Sequence, residues 1–234
     1  MNAKAPEADK VQAMFGAIAG RYDLLNSLLS FGIDKLWRKE AVRHIVKAQP
    51  EAILDVATGT ADLALALKKA LPNAEVIGVD FAEEMLSFGR TKAAKANLDV
   101  PLIQGDGLNL PFEDNRFDAV SIAYGIRNFS DRQRGLEEFY RVLKPGGTLA
   151  ILEFPPPPKG LFGRLFRIYF LGISPYIAGF ISGHKDAYEY LGESVLNFPP
   201  PEELAAMMKE AGFDKIRFHM QTYGVSALHL GEKP

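Results

Sequence analysis

Residues 52–62, Ala-Ile-Leu-Asp-Val-Ala-Thr-Gly-Thr-Ala-Asp, limit the architecture more than any other stretch of the chain. An apolar run, Ile53, Leu54 and Val56, reads as a buried strand. It stops at Thr58-Gly59-Thr60, and a helical pattern, Leu63, Leu65 and Leu67, begins at once. A strand that passes into a helix through small residues is the junction at which open α/β sheets bind nucleotide-like ligands. Asp55 is the odd residue in the apolar run. A buried carboxylate needs hydrogen-bond donors, so two readings stay open: the acid ties down its own turn, or turn and acid together serve a ligand.

The rest of the chain extends this unit. Residues 75–79 read as a second strand ending at Asp80, 83–96 as a helix, 100–104 as strand three and 117–123 as strand four. A helix over 131–143, a Lys144-Pro145-Gly146-Gly147 turn and a fifth strand over 148–154 follow. Strands alternating with helices imply a mostly parallel sheet with helices on both faces. Ahead of it, Met14, Phe15, Ile18, Leu24, Leu25, Leu28 and Leu29 recur at helical spacing. Gly16, Gly20 and Phe31-Gly32 interrupt them, which predicts short helices with a break. Asp34 is placed to cap the next helix, with Trp37, Ala41 and Ile45 on its apolar face. At the far end, 201–211 reads as an amphipathic helix, and 216–220 and 225–230 as an antiparallel hairpin closing the sheet. The chain thus divides into N-terminal helices (11–48), a ligand-binding core (50–154), an insertion (155–198) and a C-terminal helix with hairpin (199–234), all within one domain.

Composition narrows the chemistry. The chain has 234 residues, 47% hydrophobic and 24% charged, with a net charge of -2, which gives no global attraction to nucleic acid. It has no Cys, which rules out disulfides, thiolate zinc sites and Cys nucleophiles. His44, His184, His219 and His229 show no metal-ligand spacing on one helix, so no metal is expected. Residues 1–10 have neither a signal-peptide apolar core nor an Arg-rich presequence, and a disordered lead-in to a cytosolic protein is the expectation.

Residues 159–185 stand apart, rich in Phe, Leu, Ile and Tyr, with Arg164 and Arg167 and no Asp or Glu. Gly163, Gly172 and Pro175 divide the segment into pieces short of the roughly 20 apolar residues of a membrane span. Either it is a helix pair buried over the sheet, or it is a basic, apolar lid for a greasy ligand or a membrane surface.

In an open parallel sheet the carboxyl ends of the strands face one crevice. Asp55 with residues 58–62 follows strand one, Asp80 ends strand two, and Gly105-Asp106-Gly107 follows strand three. An acid at Asp80 can accept both ribose hydroxyls, and Asp106 can reach an adenine amino group. The turn lacks Gly-x-Gly-x-x-Gly and Gly-Lys-Thr, and no Lys is set for a phosphate. An acid-rich pocket suits a nucleoside that carries a cationic or amino-acid group instead, and S-adenosyl-L-methionine is that ligand.

The segments Asp55-Val56-Ala57-Thr58-Gly59-Thr60, Asp80, Gly105-Asp106-Gly107, Phe117-Asp118 and Leu143-Lys144-Pro145-Gly146-Gly147 together resemble the class I S-adenosylmethionine-dependent methyltransferases. More narrowly, Arg21-Tyr22-Asp23-Leu24-Leu25-Asn26, Ser30-Phe31-Gly32-Ile33, Trp37, Tyr124-Gly125-Ile126-Arg127-Asn128 and the terminal Gly224-Val225-Ser226-Ala227-Leu228-His229 are similar to the C-methyltransferases of menaquinone and ubiquinone biosynthesis. The resemblance implies a Rossmann-like class I fold, a seven-stranded sheet with a helical N-terminal segment and a helical lid. It implies C-methylation of a polyprenyl quinol, with demethylmenaquinol favoured over the methoxy-polyprenyl-benzoquinol precursor of ubiquinone. It gives Thr60, Asp80, Asp106 and Gly107 to the cofactor. With Asp55, Gly59, Phe81 and Ala123 they complete the expected cofactor set.

Two departures from the family pattern stand out. Ala61 replaces a further Gly and is expected to narrow the methionine end slightly, harmlessly if its dihedrals are helical. Ala123 lacks the small polar side chain usual there, so any contact must come from the backbone.

For catalysis the resemblance points to Arg127 stabilising a quinolate and Asn128 orienting the quinol or a water. Tyr22, Tyr188 and His184 are lesser candidates for the ring oxygens. On local sequence alone Arg127 reads equally as a surface ion pair, Asn128 as a helix cap, Tyr22 as a half-buried aromatic and His184 as a solvated loop residue. Other readings are a methyltransferase for a small oxygen or nitrogen acceptor, and a non-catalytic cofactor-binding subunit of a quinone-biosynthesis assembly. The membrane origin of a prenyl quinol suggests peripheral contact at the inner membrane face through 159–185, and a homodimer stays open.

Overall fold

The computed structural model describes residues 8–234. Seven strands form one sheet in the order β3-β2-β1-β4-β5-β7-β6. The strands are β1 (Ala52–Val56), β2 (Glu75–Asp80), β3 (Leu102–Gln104), β4 (Phe117–Ala123), β5 (Leu143–Glu153), β6 (Asp214–Gln221) and β7 (Ser226–Glu232). The first five run parallel; β7 pairs antiparallel with both β5 and β6. Because successive side chains along a strand face opposite ways, Ile53 enters the core on one face and Leu54 and Val56 the core on the other. Both faces are covered, by α2 (Asp34–Val46), α3 (Asp62–Ala70) and α4 (Glu83–Ala96) on one side and by α5 (Arg132–Val142) and α9 (Pro201–Glu210) on the other. Near-continuous apolar strands follow from that double burial.

The N-terminal segment is one continuous helix, α1 (Ala8–Leu29), not short helices with a break. Gly16 and Gly20 are where it passes close to α4: a Cβ on Gly16 would meet the Glu84 carboxyl at 3.2 Å, and one on Gly20 the Phe88 ring at 3.4 Å. Those glycines mark close helix approach, which single-sequence reading takes for a breaker. Asp34 does not cap α2 either. Ile33 holds the cap position, and Asp34 lies inside the first turn, buried, accepting from Ser30 Oγ at 2.8 Å and Arg38 at 2.5 Å. The third strand begins at Leu102, after Pro101, which has no N–H to donate. The fifth starts earlier than expected, at Leu143, which pairs with Phe117.

The insertion differs most from expectation. α6 (Leu161–Arg167), a π-helical turn over Ile168–Ile173 and α7 (Ser174–Ser182) join into one rod, followed by α8 (Lys185–Leu196). The wider π turn comes just ahead of Pro175, which sits in the first turn of α7, where its missing N–H is harmless. The rod therefore runs unbroken for 22 residues and holds an 18-residue stretch with a mean hydropathy of 1.4, long and apolar enough by length and composition to cross a membrane. Nor is it simply buried: Phe180 is 93% exposed, Leu161 73% and Ile168 61%. Its inner side, with Phe166, Tyr169 and Phe170, faces the cavity described next.

Candidate active site

Two cavities meet above the carboxyl ends of the parallel strands, and both are roofed by α1. The first, about 1060 Å³ counting its open mouth, is lined by Gly59, Asp80, Phe81, Gly105, Asp106, Gly107, Ala123 and, from α1, Val11, Gln12 and Phe15. The second, about 860 Å³, is lined by aromatic and aliphatic side chains from α1, α2, the rod and α8, together with Arg127 and Asn128. Phe15, Tyr22, Tyr124 and Asn128 line both.

The first cavity is built from backbone. Asp80 closes β2 and accepts from the Gly59 amide at 2.7 Å and the Ala82 amide at 2.9 Å. Burial raises its pKa against the pull of those amides. A carboxylate offers about four acceptor positions, so two remain for a ligand's hydroxyls. Asp106 holds its turn through the Leu108 amide at 2.9 Å and keeps its second oxygen unbonded among the described residues. A Cβ on Gly107 would fall 2.4 Å from the Phe129 ring, so only glycine fits between cavity and ring. Phe81 is half-exposed at the mouth, and Gln12 of α1 bonds its carbonyl at 3.0 Å. Ala123 lines the floor without a polar side chain.

Two residues expected to touch the cofactor lie off the lining. Asp55 is 1% exposed and accepts from Thr58 Oγ1 at 2.6 Å and from Ser121 Oγ, its register partner on β4, at 2.7 Å. Burial lifts its pKa to about 6, only partly offset by those hydroxyls. Thr60 is buried as well, and its hydroxyl donates to Asp23 of α1 at 2.6 Å. Both hold the turn rather than face the cavity. Ala61 corrects the other expectation about this turn. Its φ is +67°, left-handed rather than helical, and its methyl is fully buried toward Gly89 of α4, so it narrows nothing in the cavity.

The second cavity is built from side chains. Arg127, in a single 3-10 turn over Ile126–Asn128, is 3% exposed and donates to Glu153 Oε1 at 2.6 Å. The pair is buried, so the surface-bridge alternative is set aside. Glu153 ends β5 with its pKa raised by burial, opposed chiefly by the Arg127 charge. Arg127 Nε has no partner among the described residues, and the guanidinium lies 5.8 Å from the Phe154 ring centre. Asn128 does not cap a helix, since Asp131 caps α5; its Oδ1 accepts from Tyr190 at 3.2 Å. Tyr22 lines the same cavity as Arg127 and Arg38, and burial raises its pKa in spite of those charges. Tyr188 lines the wall, its buried hydroxyl unpartnered among the described residues, whereas His184 precedes α8 and lies off both linings.

The sequence reading missed several participants. Glu153 carries the same signal as Asp80, an acid ending an apolar strand (Thr148-Leu149-Ala150-Ile151-Leu152-Glu153). Asp34 and Arg38 carry a weaker one, an i, i+4 pair on a helix whose other face holds Trp37. Lys92 carries none: it crosses from α4 to bond Asp23 at 2.8 Å, Thr60 at 3.2 Å and Asp62, tying α1 to the turn.

Comparison with known proteins agrees with this geometry. Residues 3–233 match the ubiE/COQ5 methyltransferase family. The chain is similar to the demethylmenaquinone methyltransferase of Thermus thermophilus, 55% identical over 94% of this chain and 100% of that protein. It is 43% identical to the ubiquinone/menaquinone biosynthesis C-methyltransferase UbiE of Geobacter sulfurreducens, over 97% of this chain and 90% of that one. Among solved structures, a SAM-dependent methyltransferase from Thermotoga maritima shares the fold, with a TM-score of 0.69 at 21% identity over 96% of this chain and 100% of that one. The chain belongs to the ubiE/COQ5 methyltransferase family and is an S-adenosylmethionine-dependent C-methyltransferase.

Proposed function

We propose that the protein methylates a ring carbon of demethylmenaquinol, holding S-adenosyl-L-methionine in the first cavity and the quinol in the second. The observation that carries the reading is the junction: four residues line both cavities, so donor and acceptor share one wall. Asp80 suits a ribose, Asp106 an adenine amino group, and Phe81, Gly59, Gly107 and Ala123 the surfaces around them. Asp55 and Thr60 act indirectly, by fixing the turn. When bound, the cofactor supplies a methyl group on a positively charged sulfur, already a good leaving group. The protein then has to align the two partners and raise electron density on the ring carbon, a matter of proximity and electrostatics. Arg127 meets charge developing on a quinol oxygen, Asn128 and Tyr22 orient the ring, and the aromatic wall packs around it.

The rod fits the tail. Its inner aromatic side continues the acceptor cavity, while Leu161, Leu165, Ile168 and Phe180 face outward beside Arg164 and Arg167, with no acid between Lys159 and Lys185. An apolar, basic outer face favours an anionic lipid surface, from which a prenylated quinol could be drawn without crossing water. The relatives named for demethylmenaquinone favour the naphthoquinol over the benzoquinol precursor. Turnover of both reduced quinols with labelled cofactor tests the choice. Faster transfer to demethylmenaquinol is expected, and transfer to neither would overturn the reading.

A further inference from the structure

A quinol becomes a strong carbon nucleophile when it loses a hydroxyl proton, so the second cavity needs a group to take one. Among the described residues its lining holds one carboxylate, Asp34, and no histidine. The other polar groups there are poorly suited. An arginine cannot give up its own proton in a protein. Burial raises the pKa of Tyr22, Tyr124, Tyr188 and Tyr190, which keeps their phenols protonated. Glu153 is spent on Arg127 and does not line the cavity.

We propose that Asp34 accepts the quinol hydroxyl proton during methyl transfer. The assignment rests on the quinol reading above. Asp34 is 4% exposed, and each of its oxygens accepts one bond, from Ser30 Oγ and from Arg38, leaving an acceptor position on each. Arg38 also donates to Asp62 at 3.1 Å, which fixes the guanidinium that holds the acid. Asp34 lines the same cavity as Tyr124, which stands on the wall common to both cavities. The groups around it are Arg38 on its own helix, Ser30 before it, Tyr22 on α1, Asp62 on α3 with Lys92 on α4 beyond, and Tyr124 at the end of β4.

In the step, the quinol O–H bond breaks, its proton joins a carboxylate oxygen of Asp34 and the electron pair stays on the quinol oxygen, feeding the ring carbon. Once that carbon carries the methyl group, its own proton leaves to water and Asp34 returns the stored proton to the oxygen. One proton is released per methyl group moved from a sulfonium, and the ring regains its aromaticity.

The test compares pH–rate profiles of wild type and Asp34→Asn with reduced demethylmenaquinone, alongside calorimetric affinity for S-adenosylhomocysteine. The expected result is a fall in kcat of about 10²- to 10⁴-fold near neutral pH, narrowing as rising pH ionises the quinol, with the calorimetric affinity unchanged. Formate should restore part of the rate to Asp34→Gly. A wild-type rate, or a loss equal at every pH without rescue, would overturn the assignment. If these variants fail to fold, Ser30→Ala decides: removing a donor that orients the carboxylate should lower kcat with the affinity for S-adenosylhomocysteine unchanged, and an unchanged kcat overturns it. If the wild type transfers no methyl to the quinol, the acceptor reading fails and takes this assignment with it. If wild type and Asp34→Asn turn over alike, only the role of Asp34 fails.

Discussion

The two cavities share a wall but are made of different material. The cofactor cavity is a product of topology: three acids or glycines at successive strand ends, fixed by backbone amides, as at Asp80. The acceptor cavity is a product of tertiary packing: α1, α2, the ends of β4 and β5, the rod and α8 each add side chains, and buried ion pairs hold the polar ones. Removing a residue from the first should therefore cost ligand affinity. In the second it should cost folding stability and rate together.

The largest effect is expected at the buried pair. Arg127→Ala leaves Glu153 buried and uncompensated, and loss of one member of such a pair costs about 3–5 kcal/mol of stability. Urea unfolding of the single variant, and of a double variant in which Glu153 is also neutralised, separates this from lost packing, because the double variant should recover most of the loss. Next comes pH. Burial raises Asp55 from 3.8 to about 6, so between those values the folded chain binds more protons than the unfolded chain. Its contribution to stability is therefore full in acid and falls as pH rises through about 6, by about 3 kcal/mol in all. Asp55→Asn should flatten that decline, as read from unfolding midpoints between pH 4 and 8.

Asp80→Ala removes acceptors for two hydroxyls. With charged hydrogen bonds worth about 1.5–3 kcal/mol each, calorimetry should find cofactor affinity reduced at least about tenfold, with quinol affinity little changed. The smallest effect sharpens the view of α1 as a continuous roof. Gly20→Ala meets Phe88 only at van der Waals distance, so it should stabilise by about 0.5–1 kcal/mol through helix propensity. Destabilisation would restore the break expected from the sequence.

The same contrast explains what could be read in advance. Alternation of strands and helices, the acids at strand ends and the terminal hairpin are local or periodic signals, and the mostly parallel sheet and first cavity follow from them. Gly16 and Gly20 misled because a glycine in a helical pattern signals a break and a close approach equally well. Gly163, Gly172 and Pro175 misled in the same way, since a π turn absorbs what looks like an interruption. Asp55 and Thr60 show the reverse error: both lie in the recognisable turn, yet their side chains are consumed within the protein. Asp34, Arg38 and Glu153 could not be assigned to the acceptor cavity from sequence, because the segments that bring them together lie more than a hundred residues apart and are joined only by packing.

The division of labour between the cavities is tested most directly on the double variant Arg127→Met/Glu153→Gln, which leaves no unpaired buried charge. Cofactor affinity by calorimetry and single-turnover transfer of labelled methyl to demethylmenaquinol would be measured on the same preparation. The expected result is wild-type cofactor affinity with transfer slowed by about 10²-fold or more, the scale of a lost electrostatic contact to developing charge. Transfer at the wild-type rate, or weakened cofactor binding with transfer intact at saturation, would contradict the account.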